Sequence, residues 1–170
     1  ILSTAAARLG TQVHGVGWLE SGLLTSDVLA RFPYQEHPDN IALVARMAAE
    51  LDIAEDYALK EMADRVVPDL GVLNVYPLAT VNGRYLSFAN GMSANERFGC
   101  LGNWYRLGFD RIDVDAEPGT FISTVVNNRA DRIARSRVFA SILVNDITAD
   151  QHFLIGSNLS GLLGYIKEAW

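Results

Sequence analysis

The spacing of apolar positions along the 170-residue chain alternates between helical and strand-like periods. Ser3 to Leu9 is short and Ala-rich and reads as the last turn of a helix, and Thr11 to Gly17 reads as a strand. Leu23 to Phe32 has the pattern of a short amphipathic helix, with Thr25 or Ser26 as its cap. Two prolines between Phe32 and Pro38 stop any helix there, and this linker is the predicted internal boundary. Beyond it Ile41, Val44, Ala45, Ala48 and Leu51 recur on one helix face, with Asp39 or Asn40 as cap. A second helix, from about Glu55 to Val66, turns Ala58, Leu59, Met62 and Val66 inward, and Pro68 ends it.

The second half reads more regularly. Val72 to Leu78 is strand-like, and Asn82-Gly83 predicts a hairpin between Val72–Val81 and Arg84–Ala89. Leu86 to Trp104 then reads as strand, tight loop and helix. Asn90-Gly91 breaks the strand, Ser93 and Glu96 have capping-box spacing, and Phe98, Leu101 and Trp104 or Tyr105 mark the helix face. An acidic connection, Asp110 to Pro118, leads to Thr120–Val126, a β-branched run predicted to be a buried strand. A helix from about Ala130 to Val144, a strand from His152 to Ile155 and a last helix carrying Leu159, Leu162, Leu163 and Ile166 complete the chain. From Leu86 onward the order is β-α-β-α-β-α. That alternation predicts an α/β fold with a mostly parallel sheet and right-handed crossovers.

Composition narrows the function classes. A net charge of −6 argues against a nucleic-acid partner, whose footprint is basic. Cys100 is the sole cysteine, which excludes an internal disulfide framework and a cysteine-built zinc site and fits a reducing compartment. No uncharged apolar run approaches the roughly 18 residues of a membrane span. The expected location is the cytoplasm. The chain opens on Ile1, without Met, and reads as a fragment or processed product of something longer, with simple trimming as the alternative.

Three strand ends carry similar polar loops: Asn90 to Asn95, Asn127 to Arg132, and Gly156 to Asn158. In a parallel sheet such ends share one rim, where ligands bind. Asn, Ser and Arg there would suit a carboxylate or a phosphate, and Arg129 and Arg132 are the best placed cations. Each loop alone could equally be a turn or a cap. Arg135 and Arg137 read as solvated or acid-paired. His37 could stack on or bond a ligand, whereas Asn40 reads first as a helix cap. His14 and His152 read as core histidines, and Cys100 as a buried helix residue. No metal-ligand cluster, nucleophile triad, dinucleotide fingerprint or phosphate loop is present in the sequence.

Several of these stretches resemble the C-terminal part of the Mur ligase family, and within it the ligase subunit of poly-γ-glutamate synthase. His37-Pro-Asp-Asn-Ile-Ala-Leu-Val-Ala45 is similar to the family's His and Asn before an Ala-rich helix. Ala48 to Ile53 resembles the end of that helix. Phe88-Ala-Asn-Gly-Met-Ser-Ala-Asn95 and Val126-Asn-Asn-Arg-Ala-Asp-Arg132 resemble two loops of the poly-γ-glutamate enzymes. Asp69-Leu-Gly-Val72 stands where Mur enzymes usually carry Pro-Gly-Arg, which shifts the resemblance away from peptidoglycan synthesis.

The resemblance implies a Rossmann-like C-terminal domain at residues 35–170, preceded by the tail of a central ATP-binding domain at residues 1–34. It implies an ATP-dependent acid–amino-acid ligase that works through an acyl phosphate. His37 and Asn40 would lie beside the nucleotide, and Asn90, Ser93, Asn95, Arg129 and Arg132 would face the incoming amino acid, expected to be glutamate. ATP and Mg²⁺ would be held mainly by a central segment that carries the phosphate loop. Membrane synthase partners and a homo-oligomer are further expectations. Two rivals stay open: a stand-alone binding module for a small anion, and a structural or oligomerisation domain.

Overall fold

A computed structural model describes residues 1–17 and 19–170 in full, and residue 18 only by its place in a helix. The helices in the first half are α1 (Leu2–Leu9), α2 (Trp18–Gly22), α3 (Ser26–Leu29), α4 (Pro38–Ala49) and α5 (Glu55–Arg65). Helix α1 forms where the Ala-rich run predicts it and ends on Gly10, whose φ of 64° is the left-handed cap that glycine adopts without strain. The segment expected as a strand from Thr11 to Gly17 joins no ladder. It has no β partner among the described residues, and Gly15 and Gly17 weaken it further. The helix expected from Leu23 to Phe32 shrinks to α3, with Thr25 at its N-cap position but making no side-chain capping bond, and α2 lies before it.

Residues 1–89 make one compact unit, so the Phe32–Pro38 linker lies inside it. Phe32 is buried with Ile41 and Ala63, and Leu24, Leu29, Leu59, Met62 and Val66 pack around them. The predicted inner face of α5 is therefore the observed one. Helix α4 is rotated from expectation: Ile41, Ala42 and Ala45 are buried, while Val44 and Leu51 reach the surface. Helices α2 and α5 both pack on α4, and small residues permit that close approach.

The strand expected from Val72 to Leu78 shrinks to β1 (Asn74–Val75), which pairs with β4 (Ala89–Asn90). Between them β2 (Ala79–Val81) and β3 (Arg84–Leu86) form the predicted antiparallel hairpin. Asn82 and Gly83 both take positive φ, 50° and 77°, as a tight two-residue hairpin turn requires.

Residues 90–170 form the second unit. It holds α6 (Arg97–Arg106), a 3-10 turn at Phe109–Arg111, β5 (Ser123–Asn128), α7 (Ile133–Asn145), β6 (Gln151–Gly156) and α8 (Leu159–Ala169). Strands β5 and β6 run parallel, in register from Ser123↔Gln151 to Asn128↔Gly156, with α7 as the crossover between them. The fold is mixed α/β. It contains three separate two-stranded ladders rather than one mostly parallel sheet, because β4 pairs with β1 instead of joining β5 and β6. Helices α7 and α8 pack together, and Ile142 and Leu162 are fully buried. The strand face carrying Val125, Phe153 and Ile155 is exposed, so the run expected to be buried on both sides is covered on one.

Candidate functional site

The carboxyl ends of β5 and β6 meet around Asn128. Its side chain is 6% exposed and that of Ser136, one turn into α7, 5%. The Asn128 amide Nδ2 donates to the Ser157 carbonyl at 2.7 Å and to the Asn158 carbonyl at 3.4 Å, while Oδ1 accepts from Ser136 Oγ at 2.7 Å. The Ser157 N–H donates to the Asn128 carbonyl at 2.9 Å, and the Ala130 N–H donates to Ser157 Oγ at 2.9 Å. The two strand-end loops are thus stitched together by a buried and satisfied polar network, which rigidifies what it joins. Gly156 is required by the same closeness. Its φ is 96°, and a Cβ there would strike the Asn128 carbonyl and the Asn127 side chain.

Each strand leads directly into a helix, so the amino ends of α7 and α8 lie at this rim. Neither cap residue, Arg132 or Asn158, makes a side-chain capping bond. The first amides of both helices thus lack a side-chain cap from these residues, and a helix amino end suits an anion. Arg129 stands on the loop with its Nε 3.0 Å from Asp131 Oδ1 and its Nη2 2.8 Å from Oδ2. Arg132 Nε lies 3.4 Å from the same Oδ2. Hydrogen bonding from Arg129 holds the Asp131 carboxyl below its usual range. Arg137 makes no ion pair with an acid among the described residues; its guanidinium lies 4.8 Å from the centre of the Tyr165 ring.

The structure brings together two of the three loops. The first, Asn90 to Asn95, leads to a differently anchored helix start. Asn90 Oδ1 accepts from the Met92 N–H at 3.2 Å, forming a local turn; Asn90 and Asn95 are half-buried and Ser93 is exposed. Ser93 does not cap the helix. Glu96 does, accepting from the N–H groups of Phe98 and Gly99, so α6 begins later and turns Phe98 outward, 86% exposed. Arg97 pairs with Asp146, the cap at the far end of α7, and reaches Ser141 at 3.4 Å. Thirteen residues of α7, about 20 Å of helix, separate that anchor from Arg132.

In the first unit His37 itself caps α4, its Nδ1 accepting from the Asp39 N–H at 3.2 Å. The cap expected at Asp39 or Asn40 thus sits two or three residues earlier, because Pro38 occupies the first helical position. Asn40 donates its amide to Glu36 Oε1 at 2.9 Å, and Glu36 Oε2 accepts from the Tyr34 hydroxyl at 2.9 Å. Partial burial, with the Glu36 contact second, pushes the Tyr34 phenol up to about 12. The two histidines expected in the core are surface residues. His14 faces Glu50 at 3.9 Å, and His152 on β6 meets Thr124 Oγ1 at 2.7 Å. Cys100 is half-buried in α6, and burial, followed by Glu96 and Asp146, raises its pKa. A recess of about 500 Å³ opens between the 13–16 segment and α4, walled by Leu23, Leu24, Ala45 and Leu59 with Glu20 and Arg46 at its polar side.

Ser136 was not among the residues singled out from sequence. Its signal is a lone hydroxyl on the α7 face that also carries Ala140 and Leu143. Arg97 and Asp146 had no local signal, since they lie 49 residues apart.

The family model described as the poly-gamma-glutamate synthase CapB C-terminal domain matches residues 75–169, a span that includes both latched loops. The chain belongs to this family. It is 30% identical over 149 residues to the PGA synthase CapB of Bacillus subtilis (strain 168), covering 88% of this chain and 36% of that protein. It is 27% identical over 149 residues to the capsule biosynthesis protein CapB of Bacillus anthracis, covering 88% of this chain and 31% of that protein. The chain therefore spans about a third of the length of these CapB relatives. No solved structure matches it.

Proposed function

We propose that this chain serves poly-γ-glutamate synthesis as the C-terminal part of an ATP-dependent acid–amino-acid ligase of the Mur type. The family membership and the Asn128-latched rim support this reading: a rigid, cationic strand end is suited to hold an oxyanion. In such a ligase a carboxylate takes the terminal phosphoryl group of ATP to become an acyl phosphate. The amine of the incoming glutamate attacks its carbonyl carbon, phosphate departs, and the amine loses a proton.

In this proposal Arg129 and Arg132 bind a carboxylate or phosphate oxygen at the latched rim. Asn90, Ser93 and Asn95 contact the amino acid from the other loop. Closure of these loops excludes water, which would otherwise hydrolyse the acyl phosphate. His37 fits a place beside the nucleotide, since its ring is half exposed and held at Nδ1. Asn40 fits less well, because its amide is committed to Glu36. No group of three His, Cys, Asp or Glu that could hold a metal ion occurs among the described residues. A central ligase segment would supply that ion and the phosphate loop, with membrane synthase proteins as further partners.

The test is kinetic. Arg129→Ala in the complete ligase is expected to raise the apparent KM for glutamate or ATP about tenfold, the scale of one lost charged hydrogen bond. Wild-type kinetics would remove Arg129 from the site. Calorimetry of this chain with glutamate and with ATP addresses the rival class: tight binding by the chain alone would favour a stand-alone anion-binding module.

A further inference from the structure

The Arg129 guanidinium already holds a carboxylate. Its Nε and Nη2 reach the two oxygens of Asp131 at 3.0 and 2.8 Å, a two-pronged pairing. This is the geometry in which an arginine takes a free carboxylate. Arg132 adds its Nε at 3.4 Å from Oδ2. The loop beneath is fixed rather than adaptable, because the Ala130 N–H is bonded to Ser157 Oγ and Asn128 is buried in its network. Asp131 therefore presents its carboxylate to Arg129 from a backbone held on both sides, while all three side chains remain open to solvent.

We propose that Asp131 is an internal occupant of the Arg129 oxyanion site, and that a substrate carboxylate or phosphate binds by displacing it. The inference rests on the reading that Arg129 contacts substrate. The displacement is a simple exchange of one oxyanion for another on the same guanidinium, with no bond broken in either partner. It sets a ceiling on the apparent affinity, because a site that is partly self-occupied binds less tightly in proportion to the fraction that is open. An exposed ion pair is weak, so the toll is small: about 1.5- to 5-fold in apparent affinity.

The experiment is a double-variant cycle in the complete ligase, using Asp131→Asn, Arg129→Ala and the pair. KM for glutamate is measured at saturating ATP, and KM for ATP at saturating glutamate. Asp131→Asn is expected to lower one of the two by about 1.5- to 5-fold, and which one moves tells a carboxylate from a phosphate. In the Arg129→Ala background the fall should be smaller, since only the weaker Arg132 contact is then left to be released. Unchanged or raised KM values for Asp131→Asn overturn the displacement while leaving Arg129 as a ligand. An equal fall with and without Arg129 also overturns it, since the effect would then be charge repulsion through space. If Arg129→Ala alone changes neither KM, the site reading fails and takes this inference with it.

Discussion

Asn128 concentrates the physics of the site in one side chain. It satisfies two carbonyls and one hydroxyl at a position almost closed to water. Asn128→Ala removes the buried bond to Ser136, whose hydroxyl then keeps only the Arg132 carbonyl, and the bonds to the Ser157 and Asn158 carbonyls; it should cost about 1–3 kcal/mol in denaturant unfolding. Gly156→Ala should destabilise as well, since it adds both a positive-φ strain and a collision with the Asn128 carbonyl. Tyr34 gives a titration marker in the first unit. Its folded pKa is raised, so the protonated phenol is favoured by the fold. Its contribution is complete below about pH 10, the value of an unperturbed tyrosine, and is lost as pH rises through about 12. Ultraviolet titration should show one late phenolate, absent in Tyr34→Phe. His152 has the opposite sense: desolvation lowers its pKa, so stability contributed by the neutral ring is lost as pH falls below about 6.5. The melting temperature of His152→Gln should depend less on pH between about 7 and 5 than that of the unaltered chain.

At the scale of elements, α7 is the member on which the second unit turns. Its amino end receives the Asn128 network through Ser136, its inner face buries Ala140, Ile142 and Leu143, and its far end receives Arg97 from α6. Asp146 there keeps one carboxylate oxygen, Oδ2, buried without a hydrogen-bond partner, so its charge depends heavily on Arg97. Arg97→Ala should therefore loosen the α6–α7 junction, read as faster amide exchange in the first turn of α6, with the Asn128 latch intact. Leu162→Ala, at a fully buried position of α8, should cost about 2–5 kcal/mol through the cavity it leaves. These elements also show where pattern reading succeeds. The Asn82-Gly83 hairpin and the β5-α7-β6 crossover are local or near-local and were legible. The start of α6 was misread because Ser93 and Glu96 satisfy the capping-box spacing, yet Glu96 reaches the Phe98 and Gly99 amides itself. A cap competes with its neighbours for the same amides, and spacing alone does not decide the winner.

At the scale of the molecule, the sequence by itself determined the mixed α/β class, the order of elements after Leu86 and two polar strand-end loops with their arginines. These follow from periodicity and turn chemistry, which act over a few residues. It also carried the family resemblance, of whose motifs Phe88–Asn95 and Val126–Arg132 fall within the matched span and His37–Ala45 and Ala48–Ile53 lie before it. Only the tertiary structure decided which strands pair. It sends β4 to β1, so three expected rim loops become two latched ones, with the third leading to the far end of α7. Only it showed that α4 buries its alanines rather than Val44 and Leu51. It alone found the Asp131 carboxylate on the Arg129 fork and Ser136 beneath Asn128. Strand pairing, helix rotation and buried polar networks depend on partners distant in sequence, and the free energies that select among them belong to contacts that no local pattern encodes.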